Sequence, residues 1–443
     1  MTKFTFSKKY EKDKGGFCES SRKIIEYIKV ISLVLSRKEL PLLGFFYSLP
    51  QILLMNNLQA IVHQSFNENF NIEPMIVRSP GRVNLIGEHT DYNGGYVLPA
   101  AIDKAAYFAI SASDAESGKW ISIDMKESIN VNFNSIKFLE KHSWANYILG
   151  VIEQFQKRGL VVKPFNCVLA GDVPIGSGMS SSAALESAVG FAINEMNQFG
   201  LSRKELAKLA QQAENEFIGV KCGIMDMFAS IHGKENNVIR LDCETLEYEY
   251  FPLNLGPYKI VLFDSGVKHN LVESEYNLRR QQCEEGLAFF RKYFDKSVKN
   301  LSQVPLAWLQ SSRSQINPIV YKRCQYVIEE NQRVIAGCED LRAGRLKDFG
   351  IKMTATHEGL RNLYEVSCPE LDFLVDSVWH EPSVLGSRVM GGGFGGCTIN
   401  LIKSDAMDEL FNRLSINYEV KTGIPLKMYS VVTADGTEII QNL

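Results

Sequence analysis

The 443 residues exceed what one ordinary core accommodates and imply two lobes. An apolar fraction of 45% is that of a globular chain, and 48 Lys plus Arg against 51 Asp plus Glu leave a net charge of −3. That balance offers no field of one sign to gather nucleic acid or an anionic membrane, so the expected partners are small molecules.

Along the chain, residues 1–54 differ from the rest. A basic, polar start (Lys8, Lys9, Lys12, Lys14) leads to an apolar stretch broken by Arg37, Lys38 and Glu39. The segment Leu40–Met55 holds Pro41, Gly44 and Pro50 and falls short of the roughly 20 apolar residues of a membrane span. No signal peptide is expected either, because the apolar region starts too far from the terminus. Strands are expected at Met75–Ser79, Tyr96–Ala101, Ala105–Ser113 and Asn166–Ala170. A helix over Ala183–Gln198 is expected to close on Gly200 as its C-cap. Ser202-Arg-Lys-Glu205 reads as a capping box that opens a helix over Lys204–Phe217. Beyond Tyr258 come a strand at Lys259–Asp264, helices over Glu273–Arg291 and Pro318–Ala336, and a strand at Cys397–Ile402. The nine cysteines form no CxxC pair and the seven histidines no HExxH, as suits a reducing cytoplasm and no structural zinc.

Four segments carry candidate chemistry. The stretch Val173-Pro-Ile-Gly176-Ser177-Gly178-Met179-Ser180-Ser181-Ser182-Ala183-Ala184 places glycines and serines at a helix start. It reads either as a phosphate cradle of open amides or as a turn with serine N-caps. It is not a Walker A loop, since no GxxxxGK[ST] occurs, and the HRD and DFG motifs of protein kinases are absent. The stretch Gly81-Arg82-Val-Asn-Leu-Ile-Gly87-Glu88-His89-Thr90-Asp91-Tyr92-Asn93-Gly94-Gly95 gathers one cation, two carboxylates and an imidazole between glycines. It suits hydrogen bonding to sugar hydroxyls, with a solvated turn as the alternative. Glu214 and the turn Cys222-Gly223-Ile-Met-Asp226 supply acids that could act as base, magnesium ligand or N-cap. Arg388-Val-Met-Gly391-Gly392-Gly393-Phe394-Gly395-Gly396-Cys397 has five glycines in six residues, which implies either close backbone approach to a ligand or a tight hairpin connection.

Taken in order, these segments resemble the motifs of the GHMP kinases and, within them, of the galactokinase family. GRVNLIGEHTDYNGG (81–95) is similar to that family's diagnostic signature. AEN (213–215), CGIMD (222–226), VKHNLVESEYNLRRQQCEE (267–285) and RVMGGGFGGC (388–397) continue the resemblance over roughly residues 60–443. It implies an α+β, two-lobed GHMP kinase fold with the active site in the cleft between the lobes: 55–253 the N-terminal lobe, which binds sugar and ATP, and 254–443 the C-terminal lobe. The implied reaction transfers the γ-phosphate of ATP to the C1 hydroxyl of D-galactose with Mg2+, in the cytoplasm and as a monomer. Asp226 and Arg82 match the catalytic pair, the guanidinium favouring the charged form of the carboxylate. Glu88, His89, Thr90, Asp91 and Tyr276 match sugar-binding residues, Gly176, Ser177, Gly178, Met179, Ser180, Ser181 and Ser182 the ATP loop, and Ser182 with Glu214 the metal ligands. Met227 departs from the glutamine that many members carry after the catalytic aspartate.

The resemblance leaves two rivals. One is a kinase of N-acetylgalactosamine or arabinose, although N-acetylgalactosamine kinases usually carry Ile where Thr90 stands. The other is a sugar sensor without turnover, against which the complete Ser180–Ala184 run argues. Residues 1–54 precede the resemblance and are expected to lie outside the catalytic fold. Met55 is then the expected start of translation, with a helix over Leu40–Leu54 docked on the surface as the alternative.

Overall fold

The structure, a computed structural model, describes residues 49–267 and 272–440. The chain separates into two units, Met1–Asn56 and Asn57–Leu443. Of the first, only residues 49–56 are described, as the opening of helix α1 (Leu49–Phe70), so the expectations for residues 1–48 lie outside the described residues. Residues 268–271 of the VKHN stretch lie outside them as well. Among the described residues, no helix is long and apolar enough to cross a membrane.

The second unit is α+β, with three sheets. Six strands form the first: β1 (Met75–Asn84), β3 (Pro99–Ala112), β4 (Ser117–Ser122), β5 (Glu127–Asn132), β6 (Phe165–Gly171) and β13 (Glu438–Ile440). Their order is β13-β1-β3-β6-β4-β5, all antiparallel except β4 beside β6. From Ile76 onward β1 is buried at every residue rather than at alternate ones. Both its faces are covered, which accounts for continuous burial even at Arg78, Ser79, Arg82 and Asn84. On one side Val62 and Phe66 of α1, one turn apart and without exposure, join Ile76, Tyr107 and Val168. On the other lie helices α3 (Ser181–Asn197) and α5 (Met225–His232).

Helix α2 (Ser143–Lys157) and helix α4 (Arg203–Ala213) pack beside α3. A small sheet of β2 (Tyr96–Val97), β7 (Asn237–Asp242) and β8 (Tyr248–Pro252) follows. The third sheet has the order β10-β11-β9-β12, made of β9 (Tyr258–Asp264), β10 (Val384–Val389), β11 (Cys397–Lys403) and β12 (Lys427–Val431). Around it stand α6 (Val272–Tyr293), α7 (Leu306–Ser311), α8 (Pro318–Arg342), α9 (Leu346–Gly359), α10 (Pro369–Val378) and α11 (Met407–Thr422). One apolar cluster ties Val83 of β1 and Leu85 just after it to Leu262, Phe349 and Ile399 of this third group.

Several expected elements come out differently. The strands expected at Tyr96–Ala101 and Ala105–Ser113 divide at Leu98 instead: Tyr96–Val97 pairs with β7, and everything from Pro99 joins the large sheet. Leu98 N–H turns to Ile86 O and Asn84 Oδ1, which lets the chain change sheets there. Helix α3 ends on Gln198, itself left-handed at φ 55°, so Gly200 (φ 72°) follows the cap rather than forming it. The capping box is present, Glu205 N–H donating to Ser202 Oγ and Ser202 N–H to Glu205 Oε2. Helix α4, however, stops at Ala213, and Glu214–Ile218 widens into a π-turn.

Candidate active site

Four loops and one helix converge. The first loop begins with a β-bulge in β1 between Pro80 and Arg82. A Cβ at Gly81 would stand 2.6 Å from Met179 O, so only glycine lets the strand touch the backbone of the Gly-Ser loop there. The contact is closed by Arg82 N–H donating to Met179 O at 3.1 Å. Bulge geometry thereby aims the Arg82 side chain at the second loop, residues 172–180, between β6 and α3.

Arg82 Nε and Nη2 donate to the two carboxylate oxygens of Asp226 at 2.7 and 2.6 Å, a bidentate fork. Its Nη1 donates to Gly178 O, so one guanidinium joins the phosphate loop to the acid. Burial alone would lower the Arg82 pKa, but the Asp226 carboxylate outweighs it and holds the value above the ordinary arginine range. Ser180 Oγ donates to Asp226 Oδ2 at 2.5 Å. Asp226 is the second residue of α5 and no N-cap, and its side chain stays a quarter exposed toward a cavity. Met227, where the family often carries glutamine, is wholly buried in the apolar core beneath.

Serine capping does not explain the second loop. Ser180 occupies the N-cap position of α3 with φ 59° and makes no side-chain cap, its hydroxyl being committed to Asp226. The first amides of a 17-residue helix are therefore open beside Gly176, Ser177 and Gly178, the arrangement that binds anions. Met179 contributes only backbone here, its side chain being fully buried. Ser182 Oγ donates to Glu214 Oε1 at 3.0 Å, and burial followed by the nearby Asp226 raises the Glu214 pKa. The pair is an oxygen-only donor set next to the open amides, which fits a hard cation that keeps its waters and binds phosphate oxygens. Among the described residues no group of three or more His, Cys, Asp or Glu could hold a metal by itself.

The cavity in front of Asp226 has a volume of about 360 Å3, in the range of small-molecule pockets. Arg82, Glu88, His89, Asp91, Asp226 and Tyr276 of α6 all line it. His89 (φ 61°) is buried; Nδ1 meets Tyr92 Oη at 2.8 Å while Nε2 has no hydrogen-bond partner. Burial lowers its pKa to about 4, so the ring is neutral at physiological pH. Asp91 stands against the turn before α5, where a Cβ on Gly223 would lie 1.7 Å from Asp91 Oδ2. Burial, then the Asp226 charge, pushes the Asp91 carboxyl up to about 7. Thr90 does not face the cavity: it is fully buried, and its hydroxyl bridges Gly87 O and Tyr96 O under the loop.

The glycine hairpin 390–396 joins β10 to β11, so the hairpin reading of that segment is met, and Gly391 and Gly392 line the same cavity. Gly391 N–H donates to Glu88 Oε1 at 2.8 Å, and Gly391, Gly393, Gly395 and Gly396 all have positive φ.

Two sets of residues escaped the sequence reading. A second cavity of about 420 Å3, lined by Trp144, Tyr147, Leu169 and Ile175, opens beside Ser181 and Ser182. Trp144 and Tyr147 are three apart on α2, a spacing that reads as core. The second set grips the loop 87–96 from far along the chain. Glu330 accepts from Gly87 N–H at 2.7 Å, Asn331 from Tyr96 N–H at 2.7 Å, and Tyr326 Oη donates to Glu88 O at 3.0 Å. Long-range partners of this kind have no local signal.

Comparison with known proteins agrees with this geometry. The galactokinase galactose-binding signature matches residues 64–112, the GHMP kinases N-terminal domain 146–234 and the GHMP kinases C-terminal domain 339–420. The galactokinase of Thermotoga petrophila is 43% identical over 366 residues, which cover 83% of this chain and all of that one. The galactokinase of Clostridium acetobutylicum is 39% identical over 82% of this chain and 94% of its own. The crystal structure of Lactococcus lactis galactokinase complexed with galactose superposes with a TM-score of 0.82 at 33% identity, covering 87% of this chain and 100% of that one. A mevalonate kinase at 20% identity and TM-score 0.56 shares the fold. With motifs, cavity and relatives in agreement over the same residues, the chain belongs to the galactokinase family of the GHMP kinases.

Proposed function

We propose that the protein transfers the γ-phosphate of ATP to the C1 hydroxyl of D-galactose, giving galactose 1-phosphate and ADP. The observation that carries this reading is the fork from Arg82 to Asp226, set between a polar sugar-sized cavity and the open amides of α3. The sugar binds against Glu88, His89, Asp91 and Tyr276 with C1 toward Asp226, which takes the hydroxyl proton as the O–P bond forms. Of the five N–H groups of a guanidinium, Arg82 engages three, leaving two to meet the transferring phosphoryl group. The triphosphate lies along residues 176–182, and the base enters the apolar cavity at Trp144 and Tyr147. Ser182 and Glu214 would hold Mg2+, which when bound neutralises charge on the phosphate oxygens.

The test is ADP release across galactose, N-acetylgalactosamine, arabinose, glucose, mevalonate and homoserine, with the wild type and Asp226→Asn. Galactose is expected to be preferred over glucose by about ten- to a hundredfold in kcat/KM, the cost of one unpaired charged hydrogen bond. Asp226→Asn should lose most turnover while binding both substrates. Equal use of glucose, or near-normal kcat in the variant, would overturn the assignment.

A further inference from the structure

The geometry points to Arg388 as a positioning residue of the sugar site, acting through Glu88; the inference rests on the sugar-kinase reading above. Arg388 has no exposed surface, and its guanidinium lies under the loop 84–91, some 300 residues earlier in the chain. Nη1 donates to Glu88 Oε1 at 2.9 Å and Nε to Leu85 O at 2.6 Å, while Nη2 donates to Asn84 O. Nη1 also donates to Val389 O, next to Arg388 in the chain.

Glu88 is almost as buried as its partner, so the pair is shielded from bulk solvent. Its Oε1 takes Arg388 and Gly391 N–H, and its Oε2 takes Asn84 Nδ2 at 2.9 Å. Three donors thus fix both oxygens of a cavity-lining carboxylate, leaving acceptor capacity for a ligand hydroxyl. A buried carboxylate deprived of its cation would turn toward other donors, and the sugar would lose an oriented acceptor. A planar guanidinium can serve these separate oxygens at once, whereas a lysine ammonium in the same volume cannot reproduce the fork. Arg388 touches neither substrate nor reacting atoms. Its effect should therefore appear in galactose binding and not in nucleotide binding.

The test measures KM for galactose, KM for ATP, kcat and Tm in Arg388→Lys, Arg388→Met and a control, Asp340→Asn. Asp340 is a buried acid paired with Arg345 and Lys352, away from the cavity. Both Arg388 variants should raise KM for galactose at least about tenfold, Met more than Lys, with KM for ATP within about twofold. Asp340→Asn should lower Tm and leave both KM values unchanged. If the Arg388 variants do not fold, Asn84→Ala removes the donor to Oε2 and should raise KM for galactose alone. Unchanged galactose KM in Arg388→Lys or, failing that, Asn84→Ala, or an equal rise in Asp340→Asn, would overturn the positioning role. A wild type that does not phosphorylate galactose would instead overturn the function on which it rests.

Discussion

Asp91 shows how one side chain couples the site to pH. Asp91 is half-buried near Asp226 and its carboxyl is raised to about 7 by desolvation and then by the Asp226 charge, so near neutrality the sugar-free protein is a mixture of charged and uncharged forms. Sugar hydroxyls that donate to the carboxylate stabilise the charged form and pull that value down. The sign follows from linkage: galactose binding releases protons, most visibly about pH 6–7, and affinity rises with pH until Asp91 is ionised in the free protein as well. Calorimetry in buffers of different ionisation enthalpy should read a fractional proton released at pH 7 and almost none at pH 9. Uptake of a proton would mean that Asp91 binds the sugar as a donor. His89 cannot produce this signal, because it is already neutral throughout that range. Of the residues expected to touch sugar, Thr90 is the exception, and the reason is physical. Its hydroxyl satisfies two loop carbonyls, so what it does for the sugar passes through backbone shape. The motif made the loop legible but not which of its side chains turn inward.

At the scale of elements, two helix starts carry serines with opposite duties. Ser202 closes a capping box at α4, a pattern readable from four residues of sequence because both partners are local. Ser180 stands at the same formal position of α3 yet leaves the helix uncapped and serves Asp226. Ser202 has Glu205 three residues on to complete the box, whereas Ser180 has Ala183 at that spacing; its partner Asp226 arrives only with α5. Ser202→Ala should cost about 1 kcal/mol in stability with kcat unchanged. Ser180→Ala should leave stability nearly unaltered and lower kcat about tenfold, the worth of a hydrogen bond to a charged group. Chemical denaturation and steady-state rates on the two variants check the contrast, and a stability loss in Ser180→Ala without a rate effect would return it to a capping role. The π-turn at Glu214 has a similar lesson. Propensity favours a regular helix to Phe217, but the wider turn begins at Glu214, which meets Ser182, and Gly219 (φ 94°) closes it before the chain runs to Cys222.

At the scale of the molecule, the residues of one small site are drawn from most of the chain between Arg82 and Gly396, and that spread limits what sequence can show. Motifs mark the loops that line the cavity before Asp226; the braces at Glu330, Asn331 and Arg388 and the apolar cavity at Trp144 become visible only once distant segments are side by side. The same view bears on where the catalytic unit begins. The boundary between units falls at Asn56 and Asn57, and relatives such as that of Thermotoga petrophila match 83% of this chain with their entire length. Within the second unit, Val62 and Phe66 of α1 are fully buried against Ile76, Tyr107 and Val168. Burying each such side chain contributes roughly 1.5–3 kcal/mol, so a chain lacking both loses several kcal/mol and uncovers the face of the large sheet. We therefore expect a chain comprising residues 57–443 to keep the Tm and the kcat/KM for galactose of the full-length protein. One comprising residues 71–443 should be destabilised and prone to associate through the uncovered face. Differential scanning calorimetry, light scattering and steady-state rates on the three lengths decide the matter. A drop in Tm or activity already at residue 57 would show that the first unit contributes to the catalytic fold.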